Sequence, residues 1–211
     1  MTIVVKNQQI FPRLIFKSHY DGFDFDKLLP VCQNLISTAM SKHNSYLELG
    51  DAQSSVMYRG GAPHKLSIFK PFYDWLIPQV EEIMFSEWRF TPAIEYWIND
   101  SWVNRHGVGG RTDTHNHGHA AMSVVAYLKV PKNSGRIEFL DPNEKYWNFF
   151  AREVEPGTFN TVEVEVGDVL MFPGWIDHRT EVHNGNAGED RWVLTTNFSC
   201  FKLSGYNPNK Q

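Results

Sequence analysis

Apolar and polar positions along the chain change their rhythm near residue 92. Before it, residues 1–20 read as a strand with a turn at Pro12. Over 24–42, Phe25, Leu28, Leu29, Cys32, Leu35, Ile36 and Met40 recur near helical period, with Asp24 or Asp26 placed to cap the start. Pro30 lies in the early turns of this helix and can move that start. Residues 43–63 are polar and glycine-rich and predict an exposed loop. A second helix is expected from Leu66 to Glu87, kinked or split by Pro71 and Pro78.

From Pro92 the pattern becomes short runs of Val, Ile, Phe, Tyr and Trp broken by Gly, Pro, Asn and Asp. The predicted strands are 93–98, 101–106, 112–117, 122–130, 135–140, 161–166, 168–173, 178–182 and 191–201. Many short strands at this spacing predict a β-sandwich or barrel. Val162-Glu163-Val164-Glu165-Val166 alternates as a half-buried strand does. No internal repeat or low-complexity tract appears. The expectation is a mainly β chain forming one domain over 1–211, with a mostly helical part, 1–91, packed on one sheet of a β core, 92–201.

Composition narrows the function classes. At 211 residues, 42% hydrophobic and 14% aromatic, the chain has enough apolar surface for a sizeable core. The net charge of -4 and the lack of a basic stripe give nucleic-acid binding no support. Cys32 and Cys200 exclude a disulfide framework and allow at most one bridge. Met1–Lys6 lacks a signal-like apolar region, and no apolar run approaches a membrane span, so a cytoplasmic location without membrane contact is expected.

The chemistry is concentrated in two segments. Asp113-Thr114-His115-Asn116-His117-Gly118-His119 is followed about sixty residues later by Gly167-Asp168 and the run ending at His178. On a strand, residues i and i+2 share a face at roughly 3.3 Å rise per residue. Asp113, His115, His117 and His119 would then point the same way, and neighbours ~6.6 Å apart can meet at one ion whereas members ~13 Å apart hardly can. One ion therefore takes His115 with His117, His117 with His119, or Asp113 with His115. The first pair is favoured, because Gly118 and Ala120-Ala121 read as the turn that ends the strand. His178 adds a third imidazole from a distant strand. Asp177 reads as a loop or capping residue, His106 as an ordinary histidine, and His183 as ordinary or as support for a ligand.

In the last strand Arg191, Val193, Thr195 and Asn197 share one face. A guanidinium among small polar groups on a barrel wall suits a buried carboxylate through two parallel hydrogen bonds. Tyr127, on the strand after the His-x-His, can add its phenol to the same carboxylate.

With these residues the chain resembles the iron(II)/2-oxoglutarate-dependent oxygenases, and most of all the oxygenases common in marine bacteria and their phages. The resemblance runs through Ile10–Leu14, Trp102-Val103-Asn104, His115-Asn116-His117, Ser123–Leu128, Gly135–Pro142, Gly167–Pro173 with Trp175 and His178, and Arg191 through Phe198. It implies a double-stranded β-helix, a jelly-roll or cupin-like barrel. It also implies Fe(II) on His115, His117 and His178, and 2-oxoglutarate anchored by Arg191 with Tyr127, Thr195 and Asn104 around it. Dioxygen and a primary substrate, which the sequence does not name, would complete the reaction; phage origin would place the protein in the host cytoplasm. Two departures stand out. His117 occupies the position of the usual acidic ligand. Val193 occupies that of a serine whose hydroxyl Thr195 would supply. Cupins share the barrel and include three-histidine dioxygenases that do not use 2-oxoglutarate, and a non-catalytic metal-binding barrel is a further alternative. The aromatic segment 146–158, with Trp147, Phe149 and Phe150, is a candidate lid.

Overall fold

The computed structural model describes residues 15–40, 47–56, 61–141 and 159–202. The expected turn at Pro12 and the expected lid over 146–158 lie outside them.

The chain runs β1 (Phe16–His19), α1 (Phe25–Met40), β2 (Glu48–Leu49), β3 (Ala52–Ser54), α2 (Lys70–Glu81), β4 (Ile94–His106), β5 (Arg111–Thr112), β6 (Met122–Lys129), β7 (Ile137–Leu140), β8 (Phe159–Val162), β9 (Asp168–Pro173), β10 (His178–Thr180) and β11 (Arg191–Lys202). A large antiparallel sheet has the order β1-β9-β6-β11-β4-β3. A small sheet, β10-β7-β8, faces it, and β2-β5 forms a short ribbon. Residue 115, just beyond β5, bridges to His178 on β10, so the small layer continues toward β5.

The central strands β6, β9 and β11 are buried on both faces, which is why β6 and β9 read as nearly continuous apolar runs. Alternation sorts them. Val169, Met171, Leu194 and Phe198 face one core that α1 and α2 cover through Leu35, Ile36 and Leu76. Leu170, Phe172, Val125 and Val193 face the other core, between the sheets, and meet Ile137 and Phe139 of β7. The helices therefore pack on one sheet, as the periodicity implied. Asp24 caps α1, accepting from the Lys27 N–H at 3.3 Å and, through its carbonyl, from the Leu28 N–H at 3.0 Å.

Several boundaries differ from the sequence reading. The expected strands 93–98 and 101–106 are one thirteen-residue strand, β4, with Asn99 left over opposite β11: Asp100 pairs with Asn197 and Ile98 with Phe198. This extra residue is a β-bulge, which the polar run Asn99-Asp100-Ser101 mimics as a turn. The loop expected over 43–63 contains β2 and β3, two and three residues long, too short to show a period. The second helix starts with 3-10 turns at Pro63–Lys65 and Ser67–Phe69 and ends in a π-helical segment, Glu82–Glu87, four residues after Pro78. The alternating run 162–166 leaves its strand at Val162, because the turn into β9 is held by Asp168. Cys32 and Cys200 are both free. Among the described residues no helix is long and apolar enough to cross a membrane.

Asp168 ties β1 to β9. Its carboxylate accepts from Lys17 Nζ at 2.7 Å, from the Glu165 N–H at 2.8 Å and pairs with His19 at 3.2 Å. Burial opposes its charge, but Lys17, Glu165 and His19 outweigh burial and hold the pKa below the ordinary aspartate value. A carboxylate depressed in this way stabilises the fold above its unfolded pKa and loses that contribution as pH falls through the folded one. Asp168→Asn should cost about 1–3 kcal/mol at pH 7 in urea unfolding. The gap to the wild type should narrow as pH drops below about 4; a gap that stays constant to pH 3 would contradict this role.

Candidate metal centre

The three histidines meet where the two layers join. His115 and His178 exchange backbone hydrogen bonds at 3.0 and 2.9 Å, which fixes the two residues side by side. The His117 N–H donates to the Gly174 carbonyl at 2.7 Å, and the Asn116 side chain donates to Asp177 at 2.7 Å. Two segments sixty residues apart are thus stitched together on both sides of His117. Gly174 has to be glycine for this: a Cβ there would sit 2.3 Å from the Ala120 carbonyl oxygen. Residues 113–117 are not the regular strand that the spacing predicted; regular pairing covers only Arg111–Thr112, with the single bridge at 115. Asp113 turns aside and caps the Thr114 N–H at 2.8 Å, and His119 is exposed.

The result is a cluster in which one ring nitrogen from each of His115, His117 and His178 lies within 4.8 Å of the others. Ring centroids are 4.4–5.0 Å apart. His115 Nδ1 lies 2.7 Å from the Asp113 carbonyl and His178 Nδ1 lies 2.9 Å from the Ile176 carbonyl. A carbonyl accepts only, so both Nδ1 atoms carry the proton and both Nε2 atoms keep a lone pair. His117 Nε2 is buried without a hydrogen-bond partner. Burial, reinforced by His115, pushes His117 down to about 3 and His178 well below the ordinary histidine value. Both are therefore neutral donors at physiological pH. Three imidazole rings with ligand-competent nitrogens gathered in one place fit a transition-metal ion of the zinc or iron kind.

A second cluster, His19, Glu165 and Asp168, has ligand-like spacing as well. There the Lys17 ammonium already sits 2.7 Å from Asp168, so a cation is built in.

Deeper between the sheets lies Arg191, 2% exposed at the start of β11. It is not a surface residue paired with its neighbours; Asp190 pairs with Arg105 instead, at 2.7 Å. Its Nη1 donates to the Gly135 carbonyl at 2.7 Å, Nη2 donates to His106 Nδ1, and Nε is buried without a partner. Gly135 holds its carbonyl there from a left-handed conformation at φ 82°. Arg191, His115, His117, Tyr127, Asn104 and Thr195 all line one small cavity. Its free space is about 40 Å³. Tyr127 is 2% exposed, and burial raises its phenol pKa, so it stays a neutral hydroxyl.

The remaining candidates separate along β11. Thr195 pairs with Trp102, whose ring stands 5.5 Å from His117, and it lies four residues from Arg191, roughly 13 Å along a strand. Its side chain lines the same cavity as Arg191. Asn104 is held by Ser54, which donates to its side-chain oxygen at 2.6 Å. The sequence reading passed over His106, Glu48 and Thr112. His106 was within reach, since 102, 104 and 106 share one face of β4; Glu48, in a two-residue strand, gave no signal. His183 is a structural residue, bonded at 2.7 Å to the Glu189 carbonyl and at 3.0 Å to the Gly185 N–H. A larger groove of about 990 Å³, lined by Arg136, Glu138, Arg179 and Glu181 but by none of the three histidines, has Arg136 paired with Glu181 and Glu163.

Residues 100–197 match the family profile described as "Putative 2OG-Fe(II) oxygenase". No curated protein matches the chain. Among solved structures, a prolyl-4-hydroxylase from Pseudomonas putida is similar at 14% identity, with 89% of this chain and 92% of that chain covered and a TM-score of 0.56. HygX from Streptomyces hygroscopicus, with nickel, 2-oxoglutarate and hygromycin B bound, is similar at 11% identity, covering 88% and 82% with a TM-score of 0.56. An oxidoreductase of the 2OG-Fe(II) oxygenase family from Burkholderia pseudomallei is 18% identical over 57% of this chain at a TM-score of 0.43; the chain spans 50% of its length. The two broader likenesses establish the double-stranded β-helix.

Replacing His115, His117 or His178 singly by alanine should lower Fe(II) or Zn(II) affinity about 100-fold or more, with the far-UV circular dichroism unchanged. Wild-type affinity in His117→Ala would remove that residue from the ligand set.

Proposed function

We propose, from the match of residues 100–197 to the profile described as "Putative 2OG-Fe(II) oxygenase", that this chain is an iron(II)/2-oxoglutarate-dependent oxygenase in which His115, His117 and His178 hold the iron and Arg191 binds the distal carboxylate of 2-oxoglutarate. One observation carries this assignment. Among the described residues, the two buried side-chain polar atoms without a partner are His117 Nε2 and Arg191 Nε, and both residues line the same cavity. An unsatisfied buried donor or acceptor costs about 1–3 kcal/mol, so two at one place indicate atoms kept free for ligands.

When bound, iron(II) with dioxygen and 2-oxoglutarate supplies the chemistry that couples decarboxylation to succinate with oxidation of a substrate C–H bond. The protein's part is to bind, orient and exclude water. His115 and His178 are held in one tautomer by the carbonyls of Asp113 and Ile176, so their lone pairs are presented without rearrangement. His117 takes the place of an acidic ligand and contributes no negative charge. Arg191 offers its free Nε–H and its remaining N–H donors to a carboxylate, and the Tyr127 hydroxyl adds a neutral donor beside it. Thr195 and Asn104 line the path between the two ends. Val125, Ile137 and Val193 close the walls with apolar surface, which strengthens each polar contact inside. Dioxygen and a primary substrate, whose class no residue on the cavity wall identifies, complete the partners.

The test is an anaerobic titration of the apo protein with Fe(II) and then 2-oxoglutarate, following the visible metal-to-ligand charge-transfer band. The band should saturate with 2-oxoglutarate. Arg191→Ala should weaken 2-oxoglutarate at least about 100-fold while Fe(II) affinity is retained. Tight iron binding with no band in the wild type would instead support a three-histidine dioxygenase without this cosubstrate. Unchanged 2-oxoglutarate affinity in Arg191→Ala would remove that residue from the site.

A further inference from the structure

Behind Arg191 stands a chain of buried polar groups that holds the guanidinium. Arginine has only donors. Because Arg191 Nη2 donates to His106 Nδ1, His106 carries its proton on Nε2. That proton faces Thr112 Oγ1 at 2.9 Å and Glu48 Oε2 at 3.3 Å, and the Thr112 hydroxyl donates to the same carboxylate oxygen at 3.0 Å. The groups are brought together by pairing: His106 is opposite Arg191 in the β4–β11 register, and Glu48 is opposite Thr112 in β2–β5. The His106 side chain is 2% exposed and that of Glu48 is 7% exposed.

We propose that His106 and Glu48 are positioning residues of the 2-oxoglutarate anchor: the Glu48 carboxylate and Thr112 fix the tautomer of His106, and His106 with the Gly135 carbonyl fixes the guanidinium of Arg191. The inference rests on the reading of Arg191 as that anchor. A direct Glu–Arg pair would neutralise the guanidinium and occupy the fork that the cosubstrate needs. Interposing a neutral imidazole keeps the acidic side chain one ring's width away while leaving Nε–H and part of each Nη free. The groups around the relay agree. Burial, with the charge of Arg191, drives His106 well below the ordinary histidine value, so it remains a neutral acceptor at Nδ1. Burial pushes Glu48 up to about 7, against the Thr112 hydrogen bond and the attractions of His115 and Arg191. Two hydrogen bonds to a charged group, made before the ligand arrives, spare the ligand the cost of ordering the guanidinium.

The experiment is calorimetric binding of 2-oxoglutarate to the Zn(II)-loaded protein, with Zn(II) binding to the apo protein measured separately. The proteins compared are the wild type, His106→Ala, His106→Asn, Glu48→Ala, Glu48→Gln and Arg191→Ala. His106→Ala should weaken 2-oxoglutarate by about tenfold or more and leave Zn(II) affinity within about twofold. His106→Asn should recover most of the loss, because the Asn oxygen can take the place of Nδ1 as acceptor. Glu48→Ala should weaken 2-oxoglutarate less, and Glu48→Gln, which keeps an acceptor for the Nε2 proton, should recover it. Wild-type 2-oxoglutarate affinity in both His106 variants would overturn the inference. So would a fall in Zn(II) and 2-oxoglutarate affinity together with no rescue by asparagine, which would mark His106 as merely structural. Loss in Arg191→Ala with no loss in His106→Ala would reject the relay alone. A Zn(II)-loaded wild type that does not bind 2-oxoglutarate would reject the anchor and the relay together.

Discussion

A full positive charge sits between the two sheets, and much of the interior is arranged around the need to tolerate it. Burying a guanidinium is costly unless its donors are met. Arg191 meets that condition only in part: a glycine carbonyl takes one donor, a neutral imidazole another, and Nε has no partner. The short β2-β5 ribbon brings Glu48 into the same closed space. The pairing of β4 with β11 sets the imidazole opposite the guanidinium, and the loop before β7 supplies the carbonyl.

The double-faced large sheet is what makes such a place available. On β9 and β11 every second side chain belongs to the helix-covered core, and the intervening ones belong to the space between the sheets. The outward set binds the helices and supplies most of the apolar burial. This frees the inward set of β11 to carry Arg191, Val193 and Thr195 in a row, with the guanidinium at one end and the histidines at the other. Stability and chemistry thus use opposite faces of the same strands. The layers meet at the His115–His178 bridge, so the histidine cluster stands on hydrogen bonds that also join the two layers.

The sequence showed the parts of this arrangement that depend on period. Alternation in 191–197 puts Arg191 and Thr195 on one face, and helical spacing in 25–40 marks the face of α1 that meets the sheet. The three histidines were legible because His-x-His and a distant single histidine flank strands that a barrel must bring together. The profile that residues 100–197 match is described as an oxygenase one, in line with the oxygenase reading of the chain. What escaped has a physical cause in each case. The bulge at Asn99 looks like a turn because its residues are turn formers. β2 and β3 are too short to have a period, so Glu48 was hidden within an apparent loop. His106 shared a face with Trp102 and Asn104, but nothing in a single chain says that Arg191 lies across from it until the register is known. Thr195 shares the face of Arg191 and lines the same cavity.

The close approach of Gly174 to Ala120 has a consequence for reading other chains of this fold. The Gly174 carbonyl receives the N–H of His117, and the space beside its α-carbon is already taken. A chain with all three histidines but a larger residue at this turn would look competent by any inspection of its ligands. Its second segment would nonetheless be wedged away from the first, and the donors would no longer converge. For this architecture, the presence of the ligand residues is therefore an incomplete criterion for competence, and the identity of a residue that never touches the ion belongs beside it.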